Sequence, residues 1–341
     1  MDFSIDMINL KSADSFLIWH KINGYDILTI IDGGYSKDAK TILSHYEKYI
    51  HPYVGSSSRV IIINSHPHDD HIGGLPEIVD YFGKRILRCY FNNPAKYLAQ
   101  EQINTIRSVN EAYKSTVNRL TRITESINKA ISFQETLDRN GIIATPLFSD
   151  HPHDSSLFKV LGPSESFYRN QLDFFTHKEN LKELGSNIIQ ESVINESVEG
   201  FKPCNIVDEK NDTSAENLTS SLIELQDSKG RKYLFSADAG IDSFESAQAN
   251  GHQIGNYHIC QLPHHGSRRN INSNWISKLN PNQFWVSAAG NSKHPRKAVI
   301  ECIRKNLSKC KVYSTHKGGT KHINSENSLF PERGWSSAEP L

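Results

Sequence analysis

The run RVIIINSHPHDDHIGG (59–74) constrains this chain more than any other part of its 341 residues. A strand of β-branched residues ends at Asn64, and imidazoles and carboxylates follow at once. Side chains on a loop just past a buried strand are held by a rigid scaffold and still face a cleft. The run therefore predicts a functional site at the end of a buried strand.

Four candidate metal ligands stand within six residues of this run. His66 and His68 are two apart and can point to one side of an extended turn, while Asp70 and His71 form a second pair. One tetrahedral ion cannot easily take four ligands from so short a loop, so two neighbouring ions are predicted. Imidazole and carboxylate without thiolate suit Zn²⁺, with Mn²⁺ and Fe²⁺ as alternatives.

The tetrapeptide His-Pro-His-Asp recurs at 151–154. Two serines follow Asp154 where the first run has Asp-His, and the surrounding segment is a polar connection. We interpret this second run as a surface loop rather than a second metal site.

Composition limits the class of protein. Apolar residues make up 37%, and no window reaches the 18 or more apolar residues of a membrane span. The first residues lack a basic region and a small-residue cleavage site, so no signal peptide is predicted. The five cysteines form no CxxC motif, which favours reduced thiols and a cytoplasmic location; they are Cys89, Cys204, Cys260, Cys302 and Cys310.

Charge is balanced overall but not along the chain. The 38 basic and 38 acidic residues give a net charge of zero, so the whole molecule does not attract nucleic acid. Residues 293–322 nevertheless hold nine Lys or Arg against Glu301 alone, and Arg268 and Arg269 add to them. This stretch is either a solvated helix face or a funnel for an anionic substrate.

Strand and helix patterns alternate in both halves, which predicts two sheets with helices outside them in a single domain over 1–341. Residues of about 95–140 have apolar side chains at three-to-four spacing and end in Asn140-Gly141, so one or two long helices form an insertion. A polar insertion of about 165–215 shows no clear period.

The histidine run also carries a family resemblance. HPHDDH at 66–71 fits the HxHxDH pattern of the metallo-β-lactamase superfamily. More narrowly, the chain resembles the hydrolase domain of the DNA-internalisation competence protein ComEC and its soluble relatives. The matching segments run in order across most of the chain: KSADSFLI, IIDGG, SHPHDDHIGGL, VLGP, NLTSSLIEL, FSADAG, LPHHGS and GNSKHP.

The resemblance implies an α/β, four-layer αββα sandwich with a dimetal site at the edge of the two sheets. His66 and His68 would then hold the first ion, Asp70 and His71 the second, and Asp238 would bridge them. His264 is favoured to complete the second ion, with His265 as the alternative; the other of the pair would face substrate as a proton donor or phosphate contact.

The chain departs from the superfamily in one respect. Many members have a further histidine ligand between the loop that carries HxHxDH, which we call the metal loop, and the bridging aspartate. In this chain no histidine of that interval follows a convincing strand end. The ComEC-like branch has an Asn followed by Ser in this region, which Asn217 and Ser220 or Ser221 match. Asn217 is therefore a candidate site residue, and the first ion is expected to be weakly held or exchangeable.

The predicted function is a phosphodiesterase or nuclease that uses a dimetal-bridged hydroxide on DNA, RNA or a nucleotide. Two ions can lower the pKa of a bridging water from about 15.7 to roughly 7, and Asp70 and Asp238 would orient it. Catalytic roles are predicted for Asp70, His265 and Asn217. Substrate contacts are predicted for basic and polar residues near the His-His pair, namely Arg268, Arg269, Asn291 and His294.

Two alternatives remain. A lactone or other small-molecule ester or amide hydrolase would need an uncharged or carboxylate-bearing pocket. A partner-binding component of a multi-protein system would use the 95–140 helices for contact, and the same helices could form a homodimer. No membrane partner is predicted.

Overall fold

The computed structural model describes residues 1–22, 24–113, 119–153, 157–186, 202–209, 213–291, 293–325 and 330–341. Asp154 of the second histidine run, Ser292 of GNSKHP, and 187–201 of the predicted polar insertion lie outside the described residues.

The strands form two mixed sheets. The first has the order β13-β1-β2-β3-β4-β5-β6 and the second β12-β11-β10-β9-β8-β7. In chain order the strands are β1 Asp2–Met7, β2 Phe16–Ile22, β3 Tyr25–Ile31, β4 Arg59–Asn64, β5 Ile86–Phe91, β6 Ala144–Thr145, β7 Lys159–Gly162, β8 Leu222–Gln226, β9 Lys232–Phe235, β10 Ile259–Gln261, β11 Gln283–Val286, β12 Lys311–Ser314 and β13 Lys321–Asn324.

Helices connect the strands and cover the sheets. In chain order they are α1 Ala39–Tyr49, α2 His51–Val54, α3 Asp69–Ile72, α4 Leu75–Phe82, α5 Gln100–Tyr113, α6 Arg119–Arg139, α7 Glu165–Asp173, α8 Lys178–Ser186, α9 Pro203–Asp208, α10 Ala215–Leu218, α11 Ile241–Ala249, α12 Ser273–Leu279 and α13 Lys297–Asn306. Among the helices that the structure describes, none has the length and hydrophobicity needed to cross a bilayer.

Burial of apolar side chains arranges these elements in four layers. Phe3, Ile18 and Ile63 of the first sheet pack against Tyr233 and Trp285 of the second. Helices α1, α4 and α6 cover the outer face of the first sheet, while α11, α12 and α13 cover that of the second. This helix–sheet–sheet–helix order confirms the predicted αββα sandwich.

Each sheet combines an antiparallel part with a parallel part, and the parallel strands position the site. Strands β3 and β4 of the first sheet are parallel, as are β9 and β10 of the second. Residues that follow the carboxyl ends of parallel strands share one edge of a sheet. The run from His66 to His71, Asp238 and the His264-His265 pair follow β4, β9 and β10, and Asp32 follows β3.

Some elements differ from the sequence prediction. IIATPLF (142–148) reads as a full strand, but only Ala144–Thr145 pairs with β5. Strand β13 was not predicted, because its sequence is short and polar. It forms a strand by pairing with β1, which lies near the other end of the chain. Tertiary pairing, rather than local propensity, creates such a strand.

The two predicted insertions pack against each other. The 95–140 segment contains α5 and α6, and Gly141, just after α6, has the left-handed φ of +67° expected of a glycine cap. Ile106 and Ile123 from this pair share a buried apolar cluster with Leu172 and Leu181 of the following segment. The insertions therefore form one helical lobe beside the sandwich, and its use for dimerisation or partner contact stays a prediction.

The cysteines correct one sequence interpretation. Cys204 of α9 and Cys302 of α13 form a disulfide, while Cys89, Cys260 and Cys310 are free thiols. The interpretation of all five as reduced thiols was wrong for this pair, since a separation of 98 residues gave no local signal. Disulfides are rare in a reducing cytosol, so the cysteines no longer support the predicted cytoplasmic location.

A thiol titration in denaturant tests this pairing. We expect three reactive thiols without reductant and five after reduction, because one disulfide removes two. In the chain-entropy model, a cross-link closing a loop of this length stabilises the fold by about 4–5 kcal/mol. The double variant Cys204→Ser/Cys302→Ser should accordingly unfold at lower urea concentration, and five thiols without reductant would contradict the pairing.

Candidate metal centre

Two groups of potential metal ligands lie at the edge where the sheets meet. The first cluster comprises His66, His68 and Asp238, and the second comprises Asp14, His71, Asp238 and His265. Within each cluster the candidate ligand atoms all lie within 4.8 Å of one another. Asp238 belongs to both clusters.

The two carboxylate oxygens of Asp238 face different clusters. Its Oδ2 lies 3.7 Å from His66 Nε2, and its Oδ1 lies 3.4 Å from His71 Nε2. Two ligands on one tetrahedral ion at about 2.0–2.1 Å are separated by roughly 3.4 Å. These distances are those of ligands that share an ion, so Asp238 is placed to bridge two.

Unpartnered buried atoms test whether the residues fit metal ions. Among the described residues, the Nε2 atoms of His66, His68 and His71 are buried without a hydrogen-bond partner, as are Oδ1 of Asp14 and Oδ1 of Asp238. Buried polar atoms are rarely left unpaired, because desolvation costs about 1–3 kcal/mol each. Five such atoms converging on two points fit a pair of divalent cations.

Hydrogen bonds behind the ligands fix their orientation. His71 Nδ1 donates to Asp32 Oδ2 at 2.8 Å, so its Nε2 presents a lone pair to the second cluster. Ser65 Oγ donates to the same oxygen at 2.6 Å and lies 3.1 Å from His66 Nδ1. A carboxylate that orients a ligand histidine in this way is common behind bound metals.

Glycines let the metal loop approach the turn after β3. Gly33 N donates to His71 O at 2.6 Å, and Gly74 N donates to Gly34 O at 3.0 Å. A Cβ on Gly74 would lie 2.2 Å from Gly33 O, which is far inside van der Waals contact. The Gly73-Gly74 step of the sequence is therefore a packing requirement of the site.

Of the His-His pair after β10, His265 belongs to the second cluster and His264 belongs to neither cluster. His264 and His265 both have left-handed φ values, 47° and 55°, a strain of order 1–3 kcal/mol each that is typical of functional sites. His265 Nε2 lies 3.2 Å from Asp70 Oδ2, and His265 belongs to the second cluster. His264, favoured from the sequence for the second ion, instead has its Nε2 3.6 Å from Asp238 Oδ2.

Asp70 lies beside the second cluster but is not one of its members. Its Oδ1 is 3.9 Å from His71 Nε2, and its Oδ2 contacts His265. Asp14, by contrast, is a member of the second cluster, and its Oδ2 accepts a hydrogen bond from the Gln261 amide at 2.8 Å. With Asp70 beside it, the second cluster has three carboxylates near two imidazoles.

Asn217 reaches the site from α10. Its side-chain amide lies 3.2 Å from His264 Nδ1, and its Oδ1 is buried with no partner among the residues described. Asn270, which was not predicted, accepts a hydrogen bond from the same His264 nitrogen at 2.9 Å.

The predicted substrate-binding residues occupy different environments. Arg268 is buried, at 3% exposure, and its Nη1 donates to Ile206 O of α9 at 3.4 Å. Arg269 is half-buried on the loop. Asn291 is exposed, and its Oδ1 accepts backbone hydrogen bonds from Lys293 and His294.

His294 lies at the His-His pair. Its ring centroid is 5.5 Å from that of His264 and 6.1 Å from that of His265. Burial, together with the charges of His264, His265 and Arg296, lowers the pKa of His294 to about 3, so this imidazole is neutral at physiological pH.

Burial and neighbouring charges have opposite effects on the pKa values of several site residues. Burial alone would raise the pKa of the Asp238 carboxyl, but His264 and His71 outweigh it and hold that pKa well below the usual range. Burial likewise opposes the charged form of His265, yet Asp14 and Asp70 raise its pKa to about 9. For His66, burial dominates and lowers the pKa. Asp238 and Asp70, whose pKa values are lowered, therefore stay ionised, whereas burial raises the pKa of Asp14. Protons on imidazoles would be exchanged for metal ions.

The second histidine run lies away from both clusters. His151 Nε2 pairs with Glu165 Oε2 at 2.7 Å, and His153 Nε2 lies 2.7 Å from Phe148 O. Both rings thus have structural partners in the connection before β7.

An apolar pocket adjoins the first cluster. It lies between the metal loop and the helical lobe and is lined by His68 together with Pro67, Pro94, Ile123, Ser126, Ile127, Tyr168, Leu172, Phe175, Glu216 and Thr219. The insertion thus supplies one wall of the candidate site.

Asp14, Asp32 and Asn270 are the site residues that sequence reasoning missed. Asp32 ends IIDGG and Asp14 lies in KSADSFLI, two segments that resemble the family but were given no role. A carboxylate directly after a buried strand was the available signal for Asp32, while Asp14 and Asn270 offered none.

Two solved structures resemble the chain at low identity. The metallo-beta-lactamase fold protein YhfI from Bacillus subtilis is 11% identical, with a TM-score of 0.44 over 95% of this chain and 100% of that one. The metallo-β-lactamase MIM-1 from Novosphingobium pentaromativorans is 12% identical, with a TM-score of 0.33 over 89% and 87%. Among curated proteins, none matches.

The family comparison covers the part of the chain that contains the metal loop. The model of the metallo-beta-lactamase superfamily matches residues 9–165, which include Asp14, Asp32 and the run from His66 to His71. The match identifies a metallo-β-lactamase superfamily region over residues 9–165, and the αββα order of layers is that of the metallo-β-lactamase fold.

Proposed function

We propose that this protein is a metal-dependent phosphodiesterase that acts on nucleic acid or on a nucleotide, of the type found in ComEC-like hydrolase domains. The observation that carries the proposal is the pair of ligand clusters joined by Asp238. Members of the superfamily are mostly metal-dependent hydrolases, and two adjacent divalent ions suit in-line displacement at phosphorus.

The residues of the site would have different roles in hydrolysis. Bound ions would supply a hydroxide nucleophile at neutral pH and would stabilise negative charge on a phosphoryl oxygen. Asp238 and Asp70, both ionised, would accept hydrogen bonds from the attacking group and orient it. His294 is neutral and next to the His-His pair, so we assign it to substrate contact.

Two features support a small phosphodiester substrate. Arg269 and Lys293 lie on the loops that carry the His-His pair and His294, where cations would attract a phosphate. A net charge of zero favours short or small substrates over long duplex.

Hydrolysis of a chromogenic phosphodiester tests the proposal. We expect metal-dependent turnover that falls by about 10³-fold or more in His68→Ala and in Asp70→Ala, since each loses several kcal/mol of transition-state stabilisation. His151→Ala is the matched control, because its imidazole comes from the same tetrapeptide but pairs with Glu165, so it should keep wild-type turnover.

The assay should include short DNA and RNA, cyclic nucleotides and a chromogenic lactone and lactam. A protein that retains metal, yet hydrolyses no phosphodiester with Zn²⁺, Mn²⁺ or Fe²⁺, would count against the proposal. Turnover of the lactone alone would instead support the small-molecule hydrolase.

A further inference from the structure

The disulfide between Cys204 and Cys302 joins two helices that both contact the loop carrying the His-His pair. This loop, residues 262–272, connects β10 to α12, and we call it the His-His loop. We propose that the disulfide is a redox-sensitive switch of the site: when formed it holds α9 and α13 together against the His-His loop, and when reduced it loosens that loop and weakens one metal ion. The proposal rests on the metal centre of the proposed function but not on the substrate.

Helix α9 contacts the second half of the His-His loop and the start of α12. Arg268, three residues after His265, donates from Nη1 to Ile206 O of α9 at 3.4 Å. The carboxylate of Asp208, at the end of α9, accepts hydrogen bonds from the backbone N and from Oγ of Ser273, both at 2.7 Å. Helix α9 therefore supports the loop at Arg268 and at the point where the loop enters α12.

The start of α13 contacts the first half of the loop. Arg296, the N-cap residue of α13, donates its backbone N–H to Gly266 O at 3.1 Å. Gly266 has a left-handed φ of +82°, and a Cβ there would lie 2.8 Å from Pro295 Cβ. The backbone next to His265 is therefore in close contact with the segment that opens α13.

His265 connects these supports to the second cluster. Its Nδ1 donates to Ser287 O at 2.9 Å, and its Nε2 lies 3.2 Å from Asp70 Oδ2. Its φ of 55° is left-handed, and a non-glycine residue keeps such a conformation only where the surrounding structure imposes it. The contacts from α9 and α13 belong to those surroundings, so we expect His265 to lose its fixed position when they loosen.

Helix α9 depends on its attachments, because it is only six residues long, Pro203–Asp208. Helices shorter than about 12 residues are marginal in water by themselves. One attachment is apolar, since Val207 is buried in the same cluster as Val299 and Ile303 of α13. The other is the disulfide. Reduction removes the covalent attachment and leaves the apolar one, so local loosening is expected rather than unfolding.

The two sulfurs differ in burial, which sets the order of the chemical steps. Cys302 is buried and Cys204 is half-buried, so a dithiol reductant is expected to attack the sulfur of Cys204. The S–S bond breaks, and Cys302 leaves as a thiolate that takes up a proton. The second thiol of the reductant then releases Cys204 and closes the reductant into its own disulfide, so two electrons and two protons pass to the protein.

Comparing the oxidised and the reduced protein tests the proposal without substrate. The purified chain would be stripped of metal, reduced with a phosphine or left oxidised, and titrated with Zn²⁺ by calorimetry. The phosphine becomes a phosphine oxide, with its oxygen taken from water. We expect the reduced protein to bind one ion at least tenfold more weakly, and reoxidation to restore the affinity. Hydrogen exchange should become faster over 262–272 and stay unchanged in β4.

Two variants complete the design. Cys204→Ser/Cys302→Ser has neither the bond nor the two new thiols, so it should bind Zn²⁺ like the reduced wild type, with or without the phosphine. Cys310→Ser removes a free thiol and keeps the disulfide, so it should respond to the phosphine as the wild type does. If circular dichroism shows that the double variant does not fold, hydrogen exchange of the wild type in its two redox states decides.

The proposal is overturned if the oxidised and reduced wild type bind Zn²⁺ equally and exchange 262–272 at the same rate. It is also overturned if the double variant binds like the oxidised wild type. Loss of protection in β4 as well as in 262–272 would make the disulfide a structural cross-link and not a switch. Redox-dependent metal binding without phosphodiester turnover would count against the proposed function alone, so the two failures are distinguishable.

Discussion

Replacing Asp238 with alanine should release both metal ions and lower hydrolysis by at least about 10³-fold. The reason is that Oδ2 faces the first cluster and Oδ1 the second, so a single substitution removes a ligand from each. A bridging carboxylate also screens the repulsion between two cations, which a neutral side chain cannot do. Elemental analysis after gel filtration and the phosphodiester assay measure the two effects.

Asp242→Ala offers a control on the same segment. Asp242 is exposed in the first turn of α11, four residues after Asp238, and should keep two ions and full activity. Asp238→Asn provides an intermediate case, since it retains one oxygen without charge and should hold at most one ion. Two tightly bound ions in Asp238→Ala would mean that the clusters do not share this residue.

Replacing Gly74 with alanine should destabilise the fold and the metal site together. The added Cβ would meet Gly33 O at 2.2 Å, and that oxygen belongs to backbone that cannot swing aside. Overpacking of this kind costs about 3 kcal/mol or more, and relief would require the metal loop to move away from the turn after β3. Urea unfolding and metal content report the two consequences.

Gly162→Ala is the matched control for this substitution. A Cβ there would meet its nearest neighbours, Leu222 and Ala247, at 3.6 Å and 3.7 Å, which is ordinary contact. The control should therefore keep the unfolding midpoint and metal content near wild type. Equal stability of Gly74→Ala and wild type would show that the metal loop does not pack tightly against Gly33.

Much of the fold could be predicted from local pattern. The β-branched run of β4 and the alternation of apolar and polar residues in β8 and β9 predicted strands, and the structure has strands at these positions. The metal loop could also be predicted, because four of its candidate ligands are close together in the sequence.

Residues that act across long separations were harder to place. Asp14, Gln261 and Asn270 acquire their roles only when β2, β9 and β10 meet at one edge. Arg268 shows the same limit, since its position beside the His-His pair predicts substrate binding, while its contact with Ile206 O of α9 could not be read from the sequence. A sequence gives the order of residues along a loop but not the direction of each side chain.

The sequence by itself determined the chemistry available here: imidazoles and carboxylates after buried strands, glycines where backbones must touch, and the αββα order of elements. Only the tertiary structure decided that His265, and not His264, belongs to a ligand cluster. That choice depends on the consecutive left-handed residues His264 and His265 and on the partners of their rings, since His264 Nδ1 bonds to Asn270 and His265 Nδ1 bonds to Ser287 O. Backbone dihedrals and hydrogen bonds of this kind are set by packing between the two sheets, and no local pattern of residue types encodes them.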